Sequence, residues 1–299
     1  MTVFWWVIIG ILGLCWGSFL NVLIVRSISG ESIITPASKC PKCNSPLLWW
    51  QNIPIISFIL LKGKCHFCKR DISFRYPIIE LLGLGIFIFA FTKYASLYDA
   101  IATIGIFSML LTLVFTDVQE QKVSKNQCFI IMLLGLLFNR HQMMNSILGC
   151  FVGAGIIILL TEIGIKLFKK ETFGIGDIYL LGALGAVVGF DRLFLFTIYA
   201  LLAQVILILP SYILNLYKNK QTETLKYLIY FVTTCLFLYV LKSMAFWGAK
   251  ALYIGILTGM LFFAYKLSKE LFNSIKNPQS TSYCPLAPAI AISCLLFLI

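Results

Sequence analysis

Phe173-Gly174-Ile175-Gly176-Asp177 joins a basic loop to an apolar run. Lys166, Lys169, Lys170 and Glu171 precede it, and Ile178 to Phe190 carries no charge. An ionised carboxylate at the centre of a spanning helix costs about 3 kcal/mol or more, so Asp177 needs water, a partner or a proton. The two glycines let the backbone leave regular helix and admit a second molecule closely. Taken alone, the stretch equally reads as a loop-to-helix junction, with Asp177 a first-turn acid favoured by the helix dipole.

The rest of the chain favours a membrane boundary. Of the 299 residues, 60% are hydrophobic and 12% charged. Soluble domains carry about 25% charged residues. The expected fold class is therefore an all-α polytopic membrane protein of roughly 8–10 transmembrane helices. Apolar runs fall near 3–25, 76–93, 97–116, 126–138, 145–165, 178–190, 193–215, 227–247, 250–265 and 284–299. A helix needs about 20 residues to cross a bilayer, so 126–138 and 178–190 are short. The first run is too long for a signal-peptide core and reads as a retained span.

The net charge of +12 does not imply nucleic acid, because the basic residues lie in short segments between apolar runs. Segments 26–75, 117–125, 166–176, 216–226 and 266–283 together hold 19 of the 24 Lys and Arg; the alternate segments hold 5. Basic loops stay cytoplasmic. Asp117 and Asp177 then both lie at cytoplasmic ends of their spans, and the amino terminus lies outside.

Residues 26–75 form the one sizeable extramembrane segment. Cys40-Pro41-Lys42-Cys43 and Cys65-His66-Phe67-Cys68 are separated by 21 residues. Two such pairs are the pattern of a tetrahedral zinc site. Four thiolates leave no open position for water, so the metal is expected to be structural. It would supply folding energy that a segment of this size lacks. His66, between ligands, is read as a surface residue. The remaining cysteines lie in or beside apolar runs and read as packing residues.

Span 1 ends in Gly17-Ser18-Phe19-Leu20-Asn21-Val22, where small residues suit close helix packing and Asn21 needs a partner. Tyr76-Pro77-Ile78-Ile79-Glu80 opens span 2. Pro77 suits a first helical turn, and Glu80 reads as a first-turn acid or as a polar group facing the aspartates. Leu113-Val114-Phe115-Thr116-Asp117 closes span 3. Glu162 has Lys166 one turn on as a candidate partner.

With these motifs in order, the chain resembles the type IV prepilin peptidases, membrane enzymes that cleave a prepilin leader and methylate the new amino terminus. The likeness runs from residue 17 to about 190, with an echo at 284–288. It includes Gly17 to Val22, both cysteine pairs with Asn52-Ile53-Pro54 and Ser57 between them, and Arg75-Tyr76-Pro77 with Glu80. Asp117 with Val123 follows, then Gly174-Ile175-Gly176-Asp177. The G-x-G-D pattern is also that of presenilin-like intramembrane aspartic peptidases. Ser124, Tyr179 and Leu286 depart from the family's usual Pro, Lys and Phe.

The resemblance implies that Asp117 and Asp177 are catalytic, with Gly174 and Gly176 as supporting motif. It implies a prepilin or pseudopilin substrate with a hydrophobic amino-terminal helix, cut at the cytoplasmic face of the bacterial inner membrane. It also implies S-adenosylmethionine as methyl donor, and no nucleotide fingerprint marks where that binds; the neighbourhood of Glu80 is the expectation. The expected organisation is a first span (1–25), a zinc-binding segment (26–75), a catalytic core (76–190) and additional helices (191–299) in membrane lipid. Two other readings are a transporter using the aspartates as proton or cation ligands, and an inactive pilin-binding scaffold.

Overall fold

The computed structural model describes residues 2–32, 34–35, 37–120, 123–168, 174–218 and 287–298. Two compact units divide the chain: 1–164, 171–203 and 285–299 form one, and 165–170 with 204–284 the other.

The described residues are helical, with two isolated β-bridges and no longer strand. In order the helices are α1 (Val3–Ser29), α2 (Ile56–Leu60), α3 (Arg75–Lys93), α4 (Leu97–Glu120) and α5 (Lys125–Phe138). Next come α6 (Met143–Phe168), α7 (Ile175–Val188), α8 (Phe190–Lys218), which runs on into the second unit, and α9 (Ala287–Leu298). Val3–Ser29, Arg75–Lys93, Leu97–Glu120 and the run Arg140–Lys166 are long and apolar enough to cross a bilayer. The spans expected at 227–247 and 250–265 lie outside the described residues. At 14 residues each, α5 and α7 measure about 21 Å. Helix α7 begins three residues before the apolar run, and α4 continues through Asp117 rather than ending at it.

Glycine sets the first packing contact. A Cβ at Gly17 would lie 2.6 Å from Glu80 Cα, and one at Gly83 would lie 2.6 Å from Gly17 Cα. No side chain fits there, so α1 and α3 pack backbone to backbone, antiparallel. In lipid, where apolar burial gives no drive, such close van der Waals contact is what holds helices together. Asn21 finds its partner across this seam: its Nδ2 donates to Tyr76 O at 3.1 Å. Trp16 Nε1 donates to Ser108 Oγ at 2.8 Å and ties α1 to α4.

Helix α7 sits at the centre, against α5, α6 and α9. Its residues 180–187 are all buried, with Gly182, Ala183, Gly185 and Ala186 small enough to admit neighbours on several sides. At its far end Asn139 Nδ2 donates to Ala186 O and Val187 O at 3.1 and 2.7 Å, and Ser146 Oγ donates to Ala186 O at 2.7 Å. These bonds satisfy carbonyls that a helix end leaves without partners. Asn145 Nδ2 donates to Asp191 Oδ2 at 2.9 Å at that same end.

One expectation is corrected. Helix α3 begins at Arg75, which leaves Glu80 beyond the first turn and away from the dipole. An amide from the preceding segment engages it instead: Ile55 N–H donates to Glu80 Oε2 at 2.8 Å.

Candidate active site

Asp117 continues the buried stripe of α4. Ile106, Leu110 and Leu113 precede it at helical spacing and face the core, so Asp117 faces inward too and is fully buried. It accepts a hydrogen bond from Ala287 N–H, 3.0 Å from Oδ2, at the start of α9.

Asp177 is the third residue of α7 and is 6% exposed. Its Oδ2 accepts from Gly174 N–H at 3.0 Å, the reach-back half of a capping box. Glycine at 174 has ordinary extended backbone, φ −80° and ψ 160°. Gly176 has a tighter duty: a Cβ there would lie 2.7 Å from Val123 Cβ. The entrance of α7 is thus seated on the segment that follows Asp117.

Helix direction brings the acids to one end. The α4 helix reaches Asp117 near its finish, α5 and α6 form an out-and-back pair, and α7 starts beside Asp177. The carboxylates are close enough to interact through their charges. Helix α9 packs against both α4 and α7, closing the group. Lys125 Nζ lies 5.6 Å from the centre of the Tyr179 ring, so a cation stands beside the position where the resemblance would put lysine. Asp191 follows α7 at its other end, about 21 Å away along the helix.

The cysteine pairs lie in matching hairpins. Lys39 bridges Pro46 around the first, and Lys64 bridges Asp71 around the second. Cys40 N–H donates to Ser45 O at 2.9 Å, and Cys65 N–H to Arg70 O at 2.8 Å. Asn44 and Lys69, each just after its pair, take left-handed φ of 57° and 58°, which turns each chain back.

The four sulfurs lie within 4.8 Å of one another. Ligands ~2.3 Å from a tetrahedral zinc sit about 3.8 Å apart, so the set fits a metal ion. The acidities of three of these thiols diverge. The Ser45 hydroxyl pulls the Cys43 thiol down to about 6. The amide of Cys68 lowers Cys65. For Cys68 itself, the Arg70 amide pulls down but is outweighed by desolvation and the neighbouring thiols, leaving it near 11. Four thiolates at this spacing need a cation to ionise together. His66 is exposed, stacked edge-on against Trp50, and is not among the grouped ligands.

The contact between Ala287 and Asp117 is a feature of the candidate site that sequence reasoning missed. The run Pro285-Leu286-Ala287-Pro288 flagged the place, but a backbone hydrogen bond leaves no residue-type signature.

Comparison with known proteins now adds to this geometry. Residues 11–94 match the bacterial peptidase A24 N-terminal domain, and residues 104–209 match the type IV leader peptidase family. A prepilin leader peptidase/N-methyltransferase of Klebsiella pneumoniae is 36% identical over 191 residues, covering 60% of this chain and 84% of that protein. The protein of that name from Neisseria gonorrhoeae is 34% identical over 211 residues, covering 61% and 74%. The one from Myxococcus xanthus is 34% identical over 180 residues, covering 59% and 54%. No solved structure matches.

Proposed function

The chain belongs to the type IV leader peptidase family, and from that premise we propose that it is a membrane aspartic endopeptidase using Asp117 and Asp177. Its substrate is a type IV prepilin or pseudopilin whose hydrophobic helix lies in the bilayer. The cut falls at the cytoplasmic face of the inner membrane. The observation that carries this reading is the pair of buried carboxylates, 60 positions apart in sequence, gathered at one end of α4 and α7.

Two interacting carboxylates share a proton, because both cannot ionise at close range. One acts as base toward a water while the other gives its proton to the scissile carbonyl oxygen. A carboxylate oxygen that accepts an amide hydrogen is the less basic of the pair, so the proton favours the other oxygen. On this reading the exchangeable protons favour the oxygens opposite those that Gly174 and Ala287 engage. The glycines at 174 and 176 let a substrate strand lie against the start of α7.

Zinc is the proposed occupant of the Cys40, Cys43, Cys65 and Cys68 set, as a structural ion that fixes the hairpins of 26–75. Residues 76–190 form the proposed catalytic core. A second activity, methylation of the new amino terminus, is proposed from the names of the relatives. S-adenosylmethionine would supply the methyl group when bound. The neighbourhood of Glu80, itself 8% exposed with Oε2 accepting from Ile55 N–H, is the proposed place of the donor. The role of Glu80 on this reading is to dock the zinc-binding segment onto α3.

The test is purified protein in lipid with a prepilin-like helix, scoring cleavage and methylation separately. Cleavage at the membrane-boundary site is the expected result. Ion flux dependent on both aspartates, with no cleavage, would favour the transporter instead.

A further inference from the structure

Ala287, the first described residue of α9, reaches across 170 positions of sequence to Asp117. The first four amides of any helix lack intrahelical partners. Here the second helical residue is Pro288, which has no amide hydrogen. The Ala287 N–H points at Oδ2 of Asp117, with 3.0 Å between nitrogen and oxygen. Both groups are shut away from water: Ala287 is 2% exposed and Asp117 fully buried.

The packing of α9 fixes where that hydrogen sits. Ala287, Ile290 and Cys294 follow one another at helical spacing and lie in the same core cluster as Leu110, Leu113, Leu180 and Leu184. The helix is thereby seated on α4 and α7 together, the two elements that carry the aspartates. The alanine methyl is small enough to let the backbone come within hydrogen-bond reach. The partial positive charge of the helix start adds to the attraction for a carboxylate.

We propose that the Ala287 amide is a positioning group of the catalytic centre, holding the Asp117 carboxylate by Oδ2 so that Oδ1 faces the water and Asp177. The last helix is then part of the catalytic apparatus, although the match to the leader peptidase family ends at residue 209. This inference rests on the assignment of Asp117 as catalytic.

The experiment removes one hydrogen. Ala287→Pro deletes the amide donor at the helix position where proline is best tolerated. Hydrogen bonds to charged groups are the stronger ones. The expected result is a roughly 10–100-fold loss of kcat for cleavage, with KM for the prepilin-like helix unchanged. Ala287→Ser keeps the hydrogen and is expected to restore kcat relative to Ala287→Pro. If Ala287→Pro does not fold, an ester bond in place of the amide at 287 deletes the same hydrogen without a ring and is judged identically. Unchanged kcat, a loss carried by KM, or equal damage from Ala287→Ser would overturn the inference. Asp117→Asn runs beside it. Cleavage by that variant sinks the catalytic assignment, whereas an inactive Asp117→Asn with a normal Ala287→Pro sinks only the role of α9.

Discussion

Gly176→Ala is predicted to cripple cleavage while Gly174→Ala leaves the fold intact, although both glycines belong to the same four-residue pattern. On propensity alone, alanine inside a helix gains about 1 kcal/mol over glycine. Position 176 is the second residue of α7, so the substitution would stabilise if nothing stood in the way. Val123 does. The new Cβ would lie 2.7 Å from Val123 Cβ, about 1 Å short of an ordinary carbon contact. Overpacking of this kind costs ~1–3 kcal/mol, which outweighs the propensity gain. The strain is relieved by moving the start of α7, and Asp177 is the next residue. A 1 Å displacement of a catalytic group costs on the order of 10²-fold in rate. At Gly174 the added Cβ meets nothing closer than Asp177 Oδ2 at 3.8 Å. The assay is single-turnover cleavage by equal amounts of folded protein. A glycine swap checks the cause: with Val123→Gly the nearest remaining atom of residue 123 is its Cα, 3.6 Å away. Adding Gly176→Ala to Val123→Gly should therefore cost far less than adding it to wild type. Wild-type turnover in Gly176→Ala, or equal cost in both backgrounds, would refute the steric argument.

The zinc set predicts about one tightly bound zinc per chain by elemental analysis, lowered by Cys40→Ser or Cys65→Ser together with the stability of the 26–75 segment. Full occupancy in the double variant would exclude these ligands. For topology, a cysteine introduced within 139–144 should react with an impermeant thiol reagent from outside, and one within 26–39 should not; the reverse pattern would place the aspartates in the wrong compartment. A pre-cleaved substrate should still be methylated by Asp117→Asn, and loss of methylation there, with wild type active, would favour one shared centre.

Local patterns in the sequence were legible because their partners are local. Each C-x2-C pair closes its own hairpin through a turn residue at Asn44 or Lys69. Asp177 reaches back to Gly174 within one turn. The inward face of Asp117 follows from the apolar spacing of Ile106, Leu110 and Leu113. Where the partner is distant, sequence showed a need but not its answer. Asn21 required a hydrogen bond, but nothing identified the Tyr76 carbonyl as its acceptor. Glu80 looked like a first-turn acid because Tyr76 was read as the helix start. One residue of helix extension, with the Ile55 amide, changes its role to a dock for the loop. Tyr179 looked like a lost lysine, yet Lys125 from the neighbouring helix stands over its ring.

The central claim is that Asp117 and Asp177 act as one catalytic unit. Asparagine at either position keeps the shape and removes the proton exchange that acid–base catalysis requires. The decisive measurement is single-turnover cleavage of a prepilin-like helix by zinc-replete Asp117→Asn, Asp177→Asn, the double variant and Asp191→Asn. Each single variant should lose at least ~10²–10⁴-fold, and the double little more, because residues acting together are not additive. Asp191→Asn, altered at the far end of α7, should cleave at a near-normal rate. Substantial cleavage by either Asp117→Asn or Asp177→Asn would contradict the account.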